Sequence, residues 1–338
     1  MIPSPTPDLA PRTPVRVAVV QPGGHPFQTA RALDEVRART AEAAGKGAQL
    51  VVFPEAFLGG YPWGLGFGTV VGGRTPEGKR LYQAYWEQAV VLPGPASEAL
   101  GAIARAHGVY LVVGVIEREA RNASTLYCTM AYFGADGSLL GIHRKLKPTA
   151  AERLIWGEGD GSTLPVFETP LGRVGGLICW ENYMPLARMA LYGKGVELYL
   201  APTADARDRW QATLRHIALE GRCFVLGCNQ FVTRSDYDGA PEAIQPMLAR
   251  ELAEAPELLC PGGSSIWGPD GSLLAGPLLG EAGILWADLD PEALTRERLE
   301  FDAVGHYARP DVFQLVVDER PRPAVHYHST VPSFDGST

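Results

Sequence analysis

Short, continuous, β-branched runs recur along this chain, and the segments between them carry apolar residues at helical spacing. That alternation constrains the fold more than any other feature. VRVAVVQ, Val15 to Gln21, reads as a buried strand. A helix is expected over about Gln28 to Gly45, where Leu33, Val36, Thr40 and Ala43 recur on one face. LVVFPE, Leu50 to Glu55, is a second apolar strand that Pro54 halts. Strand, helix, strand in this order is the pattern of a parallel crossover unit.

The rhythm continues with a helix near Ser97 to His107 and the strand YLVVGVIE, Tyr110 to Glu117. Arg173 to Cys179 and Val196 to Pro202 read as further buried strands around a helix at Pro185 to Tyr192. A helix at about Asp208 to Arg222 leads into CFVLGCNQF, and Gly283 to Asp290 supplies a late strand. Two segments differ: GADGSLLG and GPDGSLLAG each set Asp-Gly between apolar runs, which predicts β-hairpins and hints at two similar halves. Asp236 to Pro261 is polar and proline-bearing, and is expected to be a surface insertion or loop with some helix. No Gly/Ser-rich linker divides the chain. The expected organisation is a flexible tail (1–14), one α/β domain (15–310) and an extension (311–338) whose VFQLVV packs or pairs with another chain.

A net charge of −8 argues against nucleic-acid or anionic-membrane partners, which need clustered Lys and Arg, so a small-molecule or protein partner is expected. The amino-terminal segment lacks the apolar stretch of a signal peptide, and no segment approaches the length needed to span a bilayer. The 5 cysteines form no C-x-x-C pair, which points away from disulfide frameworks and zinc sites and toward a reducing cytoplasm.

Ligands of such sheets gather beyond the carboxyl ends of the strands. Three strand exits carry reactive groups: Glu55 after LVVFP, Lys145 after LLGIHR and Cys179 after RVGGLI. A thiol is mostly protonated at neutral pH and needs a base or a cation to become a strong nucleophile. A glutamate can take its proton, and a lysine can stabilise the charge that develops on the attacked group. Cys179 also lies at a strand-to-helix turn, where backbone N–H groups favour a thiolate. Cys128, Cys223, Cys228 and Cys260 lie in or beside apolar runs and read as structural. His216 and His306 have no local signature tying them to Cys179, and Lys147 reads as a surface charge beside Lys145.

FPEAFLGGYPWG, HRKLKPTAAERLIWGEGDGS and GGLICWENYMPLARMALYGKG resemble the three catalytic blocks of the nitrilase (carbon-nitrogen hydrolase) superfamily, and of its true nitrilase branch in particular. The resemblance extends from Val15 to about Val317. It implies a four-layer α-β-β-α sandwich, which periodicity alone does not separate from a doubly wound single sheet. It further implies Cys179 as nucleophile, Glu55 as general base, Lys145 as electrostatic stabiliser and Glu152 as a positioning carboxylate, with no metal or organic cofactor. The implied reaction turns an organic nitrile into the carboxylic acid and ammonia through a covalent thioimidate and thioester, aliphatic and dinitrile compounds being favoured. An amidase or carbamoylase using the same residues is the alternative, and an inactive assembly protein a remoter one. Family members form homo-oligomers, dimers that extend into spirals. Tyr61, Trp63, Trp180, Tyr183 and Thr203 are candidates for the substrate wall because they neighbour the catalytic groups or end a strand. Pocket size should depend on the stretches 64–79 and 236–261.

Overall fold

The computed structural model describes residues 12–120, 124–323 and 325. Most of the expected tail and the end of the extension lie outside them. Strands β1 (Val15–Gln21), β2 (Leu50–Val52), β5 (Tyr110–Arg118), β6 (Leu126–Phe133), β7 (Leu139–Arg144) and β15 (Gly283–Leu289) form one sheet. The order across it is β15-β1-β2-β5-β6-β7. A second sheet holds β8 (Val166–Thr169), β9 (Gly172–Gly176), β10 (Leu198–Pro202), β11 (Phe224–Cys228), β12 (Phe231–Thr233), β13 (Leu258–Trp267) and β14 (Leu273–Leu279). Between Thr69–Val70 (β3) and Gly73–Arg74 (β4) runs a separate small hairpin.

The two sheets repeat one plan. Parallel β1, β2 and β5 lead to the hairpin β6–β7, and parallel β9, β10 and β11 lead to the hairpin β13–β14. GADGSLLG and GPDGSLLAG are the turns of these two hairpins, so the likeness visible in the sequence marks corresponding places in the two halves.

Strand alternation sorts side chains into three apolar layers. Val17, Val19, Leu50, Val52, Leu198, Leu200 and Leu226 meet between the sheets. On the outer face of the first sheet, Ala18, Val20 and Val51 pack on helices α1 (Thr29–Gly45) and α3 (Pro95–His107). On the outer face of the second, Tyr199, Ala201 and Val225 pack on α4 (Pro185–Gly193) and α5 (Asp208–Gly221). Helix, sheet, sheet, helix is the sandwich that the family resemblance implied. Each fully buried Leu or Val in these layers contributes roughly 1.5–3 kcal/mol from burial. Helix α1 buries Ala32, Val36, Thr40 and Ala43, and Leu33 sits at the edge of that face. Gly108 ends α3 in a left-handed conformation that costs a residue without Cβ little.

Two segments differ from the sequence reading. Helix α2 (Pro76–Gln88), which the sequence reading did not place, begins inside the stretch 64–79, capped by Thr75 Oγ1, which accepts the Gly78 N–H. The segment 236–261 has the exposed residues and the helix expected of it, but it is anchored in the core. Tyr237, Ile244, Leu248 and Leu252 enter the central apolar layer through two 3₁₀ turns and α6 (Gln245–Glu251), and Leu258–Pro261 already belong to β13. Its polar residues hid a spaced apolar face too short to register as a helix. Helix α7 (Pro291–Arg298) closes the order of elements.

β5 supports the loop that carries Glu55 at very short range. A Cβ on Gly114 would fall 2.1 Å from the Pro54 carbonyl oxygen and 2.8 Å from Glu55 Cα. Gly114→Ala is therefore expected to push that loop away, costing about 1–3 kcal/mol of stability. A denaturation midpoint equal to the wild type's would show that the loop yields freely.

Candidate active site

Glu55 follows β2, Lys145 follows β7, and Cys179 stands three residues beyond the end of β9. All three are buried, and the two ion-forming side chains are fully so. Lys145 Nζ donates to Glu55 Oε1 at 2.6 Å and to Glu152 Oε2 at 2.8 Å. Glu152, on the 3₁₀ turn 150–154, also accepts from the Tyr61 hydroxyl at 2.7 Å and from the Thr149 N–H at 2.6 Å. Two carboxylates thus hold one ammonium out of water. Glu55 Oε1 accepts a further, longer bond from the Cys128 thiol at 3.5 Å, while its Oε2 is buried without a hydrogen-bond partner among the described residues.

The backbone is strained at these positions. Ala56, Ala150 and Cys179 all take positive φ near 50°, a region disfavoured for residues with a Cβ. Such outliers persist only where the surroundings enforce them. Here each is at, next to or two residues from one of the clustered side chains.

Electrostatics follow from burial. Desolvation pushes the Glu55 carboxyl up; the Lys145 ammonium opposes this, and the Glu152 charge adds to it. Burial disfavours the Lys145 ammonium, yet Glu55, Cys179 and Glu152 together hold it well above the ordinary lysine value. The Cys179 thiol is pushed up by burial and by Glu55, against the pull of Lys145 and of the Thr203 hydroxyl. The expectation of a turn that favours thiolate is therefore corrected. Cys179 opens a five-residue 3₁₀ turn rather than a helix, and desolvation beside two carboxylates keeps the sulfur protonated.

A cavity of ≈ 440 Å³ opens beside Cys179 and Glu152. Tyr61, Trp63 and Trp180 line it as expected. Thr203, fully buried, instead donates its hydroxyl to Cys179 Sγ at 3.1 Å. Tyr183 is not part of the wall: it packs edge-on against Trp180 and accepts from Thr213 on α5. Lys147 is exposed and paired with Glu158.

Asp205 and Arg207 line the cavity too, and the sequence reading missed them. Asp205 accepts from Trp180 Nε1 at 2.8 Å and from Arg207 Nε at 2.7 Å. The guanidinium of Arg207 lies over the Trp180 ring, 4.9 Å from its centroid. Their position just after β10, beyond a strand's carboxyl end, was the signal available. The stretches 64–79 and 236–261 brace this wall jointly: Tyr237 donates to the Trp63 carbonyl, and Glu251 accepts from the N–H groups of Gly66 and Gly68.

Residues 16–298 match the carbon-nitrogen hydrolase family model. The chain belongs to that family. It is 50% identical over 324 residues to a bifunctional nitrilase/nitrile hydratase of Lupinus angustifolius, covering 96% of this chain and 92% of the relative. It is 51% identical over 314 residues to an aliphatic nitrilase of Sinorhizobium fredii, covering 93% and 98%. Among solved structures, an amidase from Nesterenkonia sp. is similar at a TM-score of 0.62 and 25% identity, covering 86% of this chain and 95% of that one.

The Thr203 hydroxyl is the sulfur's hydrogen-bond donor, and such a bond contributes about 0.5–1.5 kcal/mol net. Thr203→Val should slow alkylation of Cys179 by iodoacetamide roughly three- to tenfold, and Thr203→Ser should restore it. Peptide mass spectrometry after timed alkylation measures both, and an unchanged rate for the valine variant would remove the hydroxyl from any role at sulfur.

Proposed function

We propose that the chain is a nitrilase that hydrolyses a small organic nitrile to its carboxylic acid and ammonia, with Cys179, Glu55, Lys145 and Glu152 as the reacting set. The observation that carries this reading is the buried Glu55–Lys145–Glu152 cluster, whose Glu152 lines the same cavity as the Cys179 thiol. The nitrilase names of the relatives at about half identity favour a nitrile over an amide. All four positions hold chemically competent groups, which weighs against an inactive assembly protein.

The sulfur is protonated at rest, so a base must act as it attacks. Glu55 Oε2, buried and unpartnered, takes the proton while Sγ bonds to the nitrile carbon and one C–N π bond breaks. Nitrogen gains that electron pair and is protonated, giving a thioimidate. Lys145 and the backbone N–H near Trp180 offset the negative charge building there. Water, deprotonated by Glu55, adds to the thioimidate carbon. The tetrahedral adduct expels ammonia and leaves a thioester. A second water displaces the thiol as the acid, and Cys179 recovers its proton. Glu152 holds the ammonium between the two carboxylates, and Tyr61 orients Glu152.

Two further assignments belong with this reading. Val312, Phe313, Leu315, Val316 and Val317 are solvent-exposed on this chain, which supports self-association through the extension that follows the catalytic domain 15–310. All five cysteines are free and buried, as suits a reducing cytoplasm.

Purified enzyme incubated with aliphatic, aryl and dinitrile substrates and with the matching amides should release ammonia from aliphatic nitriles and dinitriles in preference to amides. Cys179→Ala should abolish release while its circular dichroism stays that of the wild type; faster turnover of the amides would instead identify an amidase. Light scattering coupled to size exclusion should report a dimer or larger, and a monomer would sink the assembly assignment.

A further inference from the structure

Glu181 lies in the turn that carries Cys179, is buried, and takes no part in the chemistry above. Its Oε1 accepts from the Leu146 N–H at 2.6 Å, and its Oε2 accepts from the Ile178 N–H at 2.8 Å. Leu146 follows Lys145, and Ile178 precedes Cys179. One side chain therefore ties together the two backbones that present the ammonium and the thiol, although they come from different sheets.

His143 completes the arrangement. It is fully buried and stands two residues before Lys145, on the same side of the extended chain. Its Nδ1 lies 2.6 Å from the Thr163 carbonyl oxygen, and its Nε2 lies 2.9 Å from Glu181 Oε2. A carbonyl oxygen only accepts, so Nδ1 carries a proton. A carboxylate that already accepts two backbone N–H groups offers Nε2 an acceptor as well. A ring between two acceptors satisfies both only as imidazolium.

We propose that His143 and Glu181 form a buried imidazolium–carboxylate couple that holds Lys145 and Cys179 in register, and that catalysis fails when the couple loses its proton. These are positioning residues, acting through Lys145 and Cys179, and the proposal rests on the reading that those two carry out the hydrolysis.

Burial works against the charge on His143, but Glu181 and the Thr163 carbonyl together lift its pKa above the ordinary histidine value. The surrounding groups leave this balance to Glu181. Tyr132 on β6 and Tyr199 on β10 feel the Glu181 charge, but burial holds both phenols neutral. Arg144 turns to Glu117, donating through Nε at 2.9 Å, and Lys145 is engaged by Glu55 and Glu152. Asp160, at the head of the turn that presents Thr163, is occupied by Ser162 and the Arg322 N–H. Because the folded value is raised, the couple's stabilisation is complete below the unfolded histidine value of about 6.5. It is lost as pH rises through the folded value, when an Nε2 lone pair would face the carboxylate.

The test uses the full chain and a nitrile it hydrolyses. His143→Gln keeps an N–H donor toward Glu181 without a titrating ring, so kcat should stay within a few-fold of wild type and the alkaline decline in kcat should be lost. His143→Leu removes the donor and should lower kcat about a hundredfold with KM nearly unchanged, the scale of loss expected when reacting groups are misplaced by about an ångström. Nitrogen-15 NMR of histidine-labelled wild type at neutral pH should show one imidazolium, protonated on both nitrogens and slow to exchange with solvent; it needs neither variant nor turnover. An alkaline limb identical in wild type and His143→Gln, a wild-type kcat in His143→Leu, or a neutral ring by NMR would each overturn the proposal. If His143→Leu does not fold, the glutamine variant and the NMR signal decide it. If no nitrile is hydrolysed, the nitrilase reading falls separately, and the pH dependence of Cys179 alkylation in wild type and His143→Gln takes the place of kcat.

Discussion

Lys145 sits between Glu55 and Glu152 with water excluded from all but the edge of Glu152, and the rest of the site depends on that desolvated ion cluster. Removing ions from water costs several kcal/mol each unless close partners replace the solvent. Here they do, at 2.6 and 2.8 Å, and a tyrosine hydroxyl and a backbone N–H take up further carboxylate lone pairs. Two carboxylates against one ammonium leave an excess negative charge beside the thiol. A preformed thiolate there would be a second one. The cluster therefore favours a neutral sulfur, and the proposed mechanism accordingly has it lose its proton to an adjacent base only as it attacks.

Such a cluster has to be enforced by the fold, because nothing local would hold it. The enforcing features are the two packed sheets and three strained backbone positions. Glu55, Lys145 and Cys179 leave their sheets just beyond strand ends, Glu152 follows on the 3₁₀ turn 150–154, and Ala56, Ala150 and Cys179 take positive φ beside them. The closeness of Gly114 to the Pro54 carbonyl shows how little slack the neighbouring strand leaves. Close packing in the three apolar layers supplies the stability against which that strain is held.

How much of this was legible in the sequence follows from the range of the forces involved. Buried strands such as Val15–Gln21 and Tyr110–Arg118 were readable because both faces of their middle residues, 17–20 and 111–116, are covered, so those stretches carry no polar side chain. The hairpin turns were readable from Asp-Gly. Helix α2 and the 236–252 segment were not, since their apolar residues are sparse and find their partners only in the folded molecule. Glu55, Lys145 and Cys179 were picked out by their places at strand exits and Glu152 by motif resemblance alone, and spacing along the chain gave no measure of their approach. Tyr183 shows the limit of proximity in sequence: four residues from Cys179, it faces α5 rather than the cavity.

The Cys-Trp-Glu-Asn block places reactive and structural polar groups side by side. Of its four residues, Cys179 carries the thiol and Trp180 faces the cavity, while Glu181 and Asn182 point into the protein. Asn182 donates to the carbonyls of Leu177 and Cys179 and accepts from the Tyr199 hydroxyl, pinning the turn to the second sheet. Glu181 pins the same turn to the segment that follows β7 of the first sheet. Polar residues are needed here because the turn must be fixed in two directions at once, and an apolar contact has no direction. Ten residues beyond β9, the chain is an ordinary amphipathic helix again. The density of polar chemistry after a buried strand is thus mostly scaffolding, and it marks the place where the two sheets are joined across the site.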